Sequence, residues 1–101
     1  MGLLGKRSGA TGKIQKEVTI LNKLGLHARP AAMFVRAANK HRAEIWVEKD
    51  GEQVNGKSIM GLMMLAAGPG ITITIKAIGK DAAVAVETLC KLVAGGFGEE
   101  D

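Results

Sequence analysis

The run Ile71-Thr72-Ile73-Thr74-Ile75-Lys76 constrains the fold more than any other segment of this chain. Strict alternation of apolar and polar residues has a period of two, which an extended strand satisfies and a helix does not. The pattern also states that one face of the strand is dry and the other wet. Such a strand belongs in an antiparallel sheet covered on one side only. The rest of the chain must supply that cover.

Three segments carry a helical stripe or its boundaries. Ala31, Phe34, Val35 and Ala38 recur at i, i+3, i+4 and i+7, with Pro30 just inside the start, where a missing N–H costs nothing. Ser58 is an N-cap candidate for a short helix through about Ala66, with Leu62, Leu65 and Ala66 as its core side, and Gly68-Pro69-Gly70 ends it. Asp81 is placed to cap a last helix whose stripe is Ala82, Val86, Leu89 and Val93, stopped by Gly95-Gly96. Between them, Val18 and Ile20 alternate with polar residues, and so do Ile45 and Val47. Asp50-Gly51 then signals a tight hairpin into a return strand at Gln53-Val54. The order is strand, helix, strand, strand, helix, strand, helix. It predicts an α+β fold, a four-stranded antiparallel sheet with three helices on one face.

Residues 1–15 are rich in glycine and basic residues without apolar period, and are expected to form a flexible tail. The domain is expected to run from 16 to 98. Glu99, Glu100 and Asp101 read as a solvated acidic tail.

Several function classes drop out on composition. The single cysteine, Cys90, allows no internal disulfide and no CxxC site, and His27 and His41 match no zinc spacing, so no metal and no cofactor are expected. No apolar run approaches the ~20 residues of a membrane helix, and Leu3-Leu4 is too short for a signal-peptide core, so a cytoplasmic protein without membrane insertion is expected. The net charge is +4, but aromatics are only 3% of residues and the alternating strand shows Thr72, Thr74 and Lys76 on its open face. A nucleic-acid interface is not expected.

The chemistry concentrates in Gly25-Leu26-His27-Ala28-Arg29-Pro30. A histidine here stands at the mouth of a helix, beside unsatisfied N–H groups and about half a positive charge. That field disfavours an imidazolium, so a neutral, nucleophilic ring is expected. A phosphoryl group on it would meet free backbone donors, and Arg29 could add bidentate contacts. Nucleophile, anion nest and cation together suffice for phosphoryl transfer without a metal.

The run from Gly25 to Ala31 resembles the active-site signature Gly-Leu-His-x-Arg-Pro-Ala of the histidine-containing phosphocarrier (HPr) family of the bacterial phosphotransferase system. Asn55-Gly56-Lys57-Ser58-Ile59-Met60-Gly61 is similar to that family's regulatory-serine segment, at the family's distance from the histidine. The resemblance covers residues 17 to 98. It implies an HPr-like open-faced β-sandwich and a carrier rather than an independent enzyme. His27 would take a phosphoryl group on Nδ1 from phosphorylated enzyme I and pass it to enzyme IIA proteins. Arg29 would steady the group in transit, and Pro30 would shape the first helical turn.

The same resemblance implies phosphorylation of Ser58 by an HPr kinase/phosphorylase. A phosphate there adds about −1.5 to −2 charges, which a helix N-terminus tolerates and an acidic docking partner does not. Ile59, Met60 and Met63 are expected on the outside of the Ser58 helix as a partner-binding patch, with Arg36 as a rim cation. A monomer is expected. The rival reading is a regulatory module that contacts enzymes or transcription factors through the Ser58–Met63 patch without net relay.

Overall fold

The computed structural model describes residues 13–99. Four strands, β1 (Lys13–Thr19), β2 (Glu44–Lys49), β3 (Glu52–Asn55) and β4 (Thr72–Ile78), form one antiparallel sheet in the order β1-β4-β2-β3. Three helices, α1 (Ala28–Ala38), α2 (Ile59–Met64) and α3 (Ala82–Ala94), connect or follow them, and Gly96–Gly98 forms a 3-10 turn after α3.

The topology explains why the helices share a face. The pair β1 and β2 is parallel with β4 between them and α1 as crossover. The pair β3 and β4 is parallel with β2 between them and α2 as crossover. The two units run in opposite directions and step oppositely across the sheet, so a shared right-handed crossover places both helices on one side. Helix α3 lies on the same side, packed on β1 and β4 and touching α1.

Burial follows the alternation. Ile73, Ile75 and Ala77 of β4 and Ile45 and Val47 of β2 are buried, whereas Thr72, Thr74, Lys76, Trp46 and Glu48 face the open side. Phe34, Leu62, Leu65, Leu89 and Val93 close the core from the helices. Each such side chain removed from water contributes about 1.5–3 kcal/mol. At Asp50 and Gly51 φ is +52 and +82, the two left-handed residues of the tight turn that Asp-Gly signals.

Four expectations change. Lys13, Ile14 and Gln15, assigned to the tail, belong to β1 and pair with Ile78, Ala77 and Lys76; residues 1–12 lie outside the described residues. The strand hides because Lys16 shares a face with Ile14, Val18 and Ile20 and interrupts their alternation; pairing along β4 compensates. Helix α2 stops at Met64, and Ala66 is exposed with φ +53, so Ala67 rather than Ala66 enters the core. The Lys49 ammonium, at the end of β2, donates to the Leu65 carbonyl at 2.9 Å and satisfies that helix end. Asp81 occupies the N-cap position of α3, but its side chain makes no cap bond. It accepts instead from the Arg42 and Ala43 amides, both at 2.9 Å, and clamps the α1–β2 loop. Glu99, the fourth change, belongs to the site.

A candidate phosphoryl-acceptor site at the start of the first helix

His27 is the N-cap residue of α1, with extended backbone (φ −79, ψ −171) and no side-chain cap bond, which leaves its ring for other work. The first intrahelical bond runs from Ala31 N–H to the His27 carbonyl at 3.0 Å. The amides of Ala28 and Arg29 precede it, and Pro30 at the third position has none, so the first turn after His27 has two amides without an intrahelical partner. Pro30 is buried and seats this turn; Arg29 is exposed.

The loop before the helix is held tightly. Gly25 has φ +66 and passes so close to the Ala67 carbonyl that a β-carbon would overlap it. Leu26 N–H donates to that same carbonyl at 3.0 Å. The loop after α2 therefore fixes the height at which His27 emerges. A shallow groove of about 250 Å³, lined by Leu24, Leu26, His27, Met63 and residues 66–68, runs from the ring toward α2.

Sequence reasoning missed two residues. Glu99, read as solvated tail, has a side chain only 13% exposed, and its Oε2 lies 3.2 Å from His27 Nε2, across 72 residues of chain. Its Oε1 accepts from Asn22 Nδ2 at 3.0 Å, while the same nitrogen donates to the Gly25 carbonyl at 2.8 Å. Asn22 is 1% exposed, and among the described residues it is the buried polar side chain of the core. The positive φ values of Gly96, Phe97 and Gly98 (+65, +58 and +72) curl the chain end back toward α1, and buried Phe97 anchors the curl. The one sequence signal was the glycine pair flanking an aromatic residue, which marks an anchored turn. Glu100 and Asp101 lie outside the described residues.

His27 keeps about a third of its side-chain surface exposed. A model of the family described as "PTS HPr component phosphorylation site" matches residues 14–95. The chain belongs to the HPr family. It is similar to the phosphocarrier protein HPr of Neisseria meningitidis serogroup A, 48% identical over 86 residues that cover 85% of this chain and 97% of that one. Among solved structures it resembles HPr-C-His from Thermoanaerobacter tengcongensis, with TM-score 0.83 and 46% identity over 87% of this chain and 99% of that one. It also resembles Crh, a Bacillus subtilis protein solved as a domain-swapped dimer, with TM-score 0.68 and 46% identity over 82% and 95% of the two chains.

The HPr fold also places the remaining candidates. Ser58 is the N-cap of α2, and Gly61 N–H donates to its Oγ at 3.0 Å. Ile59, Met60 and Met63 are exposed, Met60 by 74%, and Met64, which the sequence reading left out, by 71%. Arg36 is exposed in the last turn of α1, two turns along the face that carries Arg29. His41 lies beyond α1 with Nδ1 3.5 Å from Asp81 Oδ2, and its carbonyl accepts from the Lys57 ammonium at 2.7 Å. Cys90 is buried in α3, and that burial pushes its thiol pKa up. No group of three or more His, Cys, Asp or Glu among the described residues could hold a metal ion, and no described helix is long and apolar enough to cross a membrane.

Proposed function

We propose that this chain is a phosphoryl carrier of the phosphotransferase system, which takes a phosphoryl group from phosphorylated enzyme I on His27 Nδ1 and gives it to enzyme IIA proteins in the cytoplasm. The observation that carries this reading is a solvent-reachable imidazole on the N-cap residue of α1, whose first turn has two amides without an intrahelical partner. In the transfer, the lone pair of Nδ1 forms the new P–N bond. The bond from phosphorus to the donor breaks, and its electron pair stays on the donor atom. The Ala28 and Arg29 amides and the Arg29 guanidinium hold the phosphoryl oxygens, while Pro30 keeps the turn rigid. His27, Arg29 and Glu99 come from a single chain, so a monomer suffices. Gel filtration tests that against a Crh-like dimer.

The decisive experiment is incubation with phosphoenolpyruvate and enzyme I, followed by a search for acid-labile, base-stable phosphate. His27→Ala abolishes the label, and Arg29→Ala slows its appearance about tenfold or more, the worth of a charge-assisted contact. Label that persists in the His27→Ala protein overturns the assignment.

Ser58 is the regulatory site in this reading, modified by an HPr kinase/phosphorylase. The exposed Ile59, Met60 and Met63, with Arg36 at the rim, form the docking surface that the modification blocks. The exposure of this patch and the similarity to Crh favour a second reading, a regulatory module that works by contact alone. Under that reading, His27→Ala leaves regulatory partners bound as tightly as the wild type, and the wild-type chain passes no label on to enzyme IIA.

A further inference from the structure

The geometry points to Glu99 as a positioning residue that holds the proton of His27 on Nε2 and so leaves Nδ1 as the nucleophile; this rests on the relay reading above. A neutral imidazole carries one N–H, and the partner of one ring nitrogen decides where it sits. A carboxylate only accepts. Oε2 of Glu99, 3.2 Å from Nε2, therefore selects the Nε2–H form.

The carboxylate is itself held. Asn22 Nδ2 donates to Glu99 Oε1 at 3.0 Å and to the Gly25 carbonyl at 2.8 Å. The second bond orients the Asn22 amide, because turning it over would set its oxygen against the Gly25 oxygen. Asn22 Oδ1 stays buried without a protein partner in this arrangement, a cost that the fold accepts to keep the nitrogen aimed at Glu99. Phe97 pins the turn that brings the carboxylate in. Asn22, Glu99 and His27 thus form an ordered chain from the core to the reacting ring.

Phosphorylation strengthens the pairing. When Nδ1 gives its lone pair to phosphorus, positive charge develops on the ring and Nε2–H becomes a better donor. Glu99 stabilises that charge, and no proton needs to leave. Nδ1 enters the reaction already bare.

Glu99→Gln makes the idea testable. Asn22 claims the new amide oxygen, so the amide NH2 faces Nε2 and demands an acceptor there. The ring proton then moves to Nδ1 and blocks the nucleophile, as an amide in place of a carboxylate does behind other catalytic histidines. Glu99→Ala removes the pairing without forcing the wrong form. Nitrogen-15 spectra of the full chain at about pH 8.5, above the ordinary imidazole range, read the tautomer directly, and phosphoryl uptake from phosphorylated enzyme I reads the rate. The wild-type ring is expected as Nε2–H and the Glu99→Gln ring as Nδ1–H. Uptake is expected to fall about tenfold or more in Glu99→Gln, and further than in Glu99→Ala. A wild-type ring protonated on Nδ1 overturns the proposal. So does a Glu99→Gln protein that keeps the Nε2–H form, or one that loses it with no change in rate. If the wild-type chain takes no label at all, the relay reading fails, and the nitrogen spectra still decide whether Glu99 sets the tautomer.

Discussion

Gly25 and the carbonyl of Ala67 touch across the two loops that flank the site, leaving no room for a β-carbon between them. Backbone at φ +66 would strain an L side chain here even without that neighbour. Glycine is thus required twice, by conformation and by space. Gly25→Ala is expected to cost roughly 3 kcal/mol in urea unfolding. It also displaces His27, so label uptake slows even at temperatures where the variant stays folded. Stability within error of wild type would mean that the loops part easily.

Ser58 caps α2 through Gly61, and the bond accounts for its local role. Ser58→Ala is expected to cost about 1 kcal/mol and to speed exchange of the Gly61 amide. Ser58→Asp keeps an acceptor and adds a charge that suits the helix start, so its stability stays within about 0.5 kcal/mol of wild type. Under the regulatory proposal its affinity for enzyme I falls. Titration calorimetry of the Asp variant separates the two roles.

Leu62 and Met60 sit two residues apart on α2 with opposite fates, Leu62 at 0% exposure and Met60 at 74%. Leu62→Ala leaves a cavity in the core and is expected to cost about 2–5 kcal/mol. Met60→Ala is expected to change stability by less than about 0.5 kcal/mol while weakening enzyme I docking. Equal stability losses in the two variants would show that α2 is buried on both sides in solution.

Asp81 carries the acid sensitivity of the α1–β2 clamp. The Arg42 amide, with smaller help from the Ala43 amide and His41, holds its carboxyl below the ordinary value of 3.8 despite an opposing desolvation effect. A carboxylate whose folded pKa is depressed stabilises the fold above the unfolded value and loses that contribution as pH falls through the folded one. Asp81→Asn is therefore expected to lower the thermal midpoint near pH 7. The gap from wild type should close below about pH 3.8. A gap that persists to the acid limit would assign the effect to shape rather than charge.

Short-range features of the chain were legible in the residues themselves. The alternation at Ile73 and Ile75, the stripe through Phe34, the left-handed Asp50-Gly51 turn and the Gly25–Ala31 signature each depend on neighbours within a few positions, where backbone sterics and side-chain period decide the outcome. Those features were enough to foresee the open sheet, its helical cover and the place of His27. Tertiary structure alone decided the contacts between distant residues. Lys16 breaks the pattern of β1, and only pairing with β4 makes that segment a strand. Asp81 gives up the expected cap because two amides of a loop some 40 residues earlier offer a better fit. Glu99 meets His27 across 72 residues because the Gly96–Gly98 turn and the buried Phe97 carry it there. A spacing of that length leaves no periodic trace, since its geometry is set by how the whole core packs and not by any local preference of the backbone.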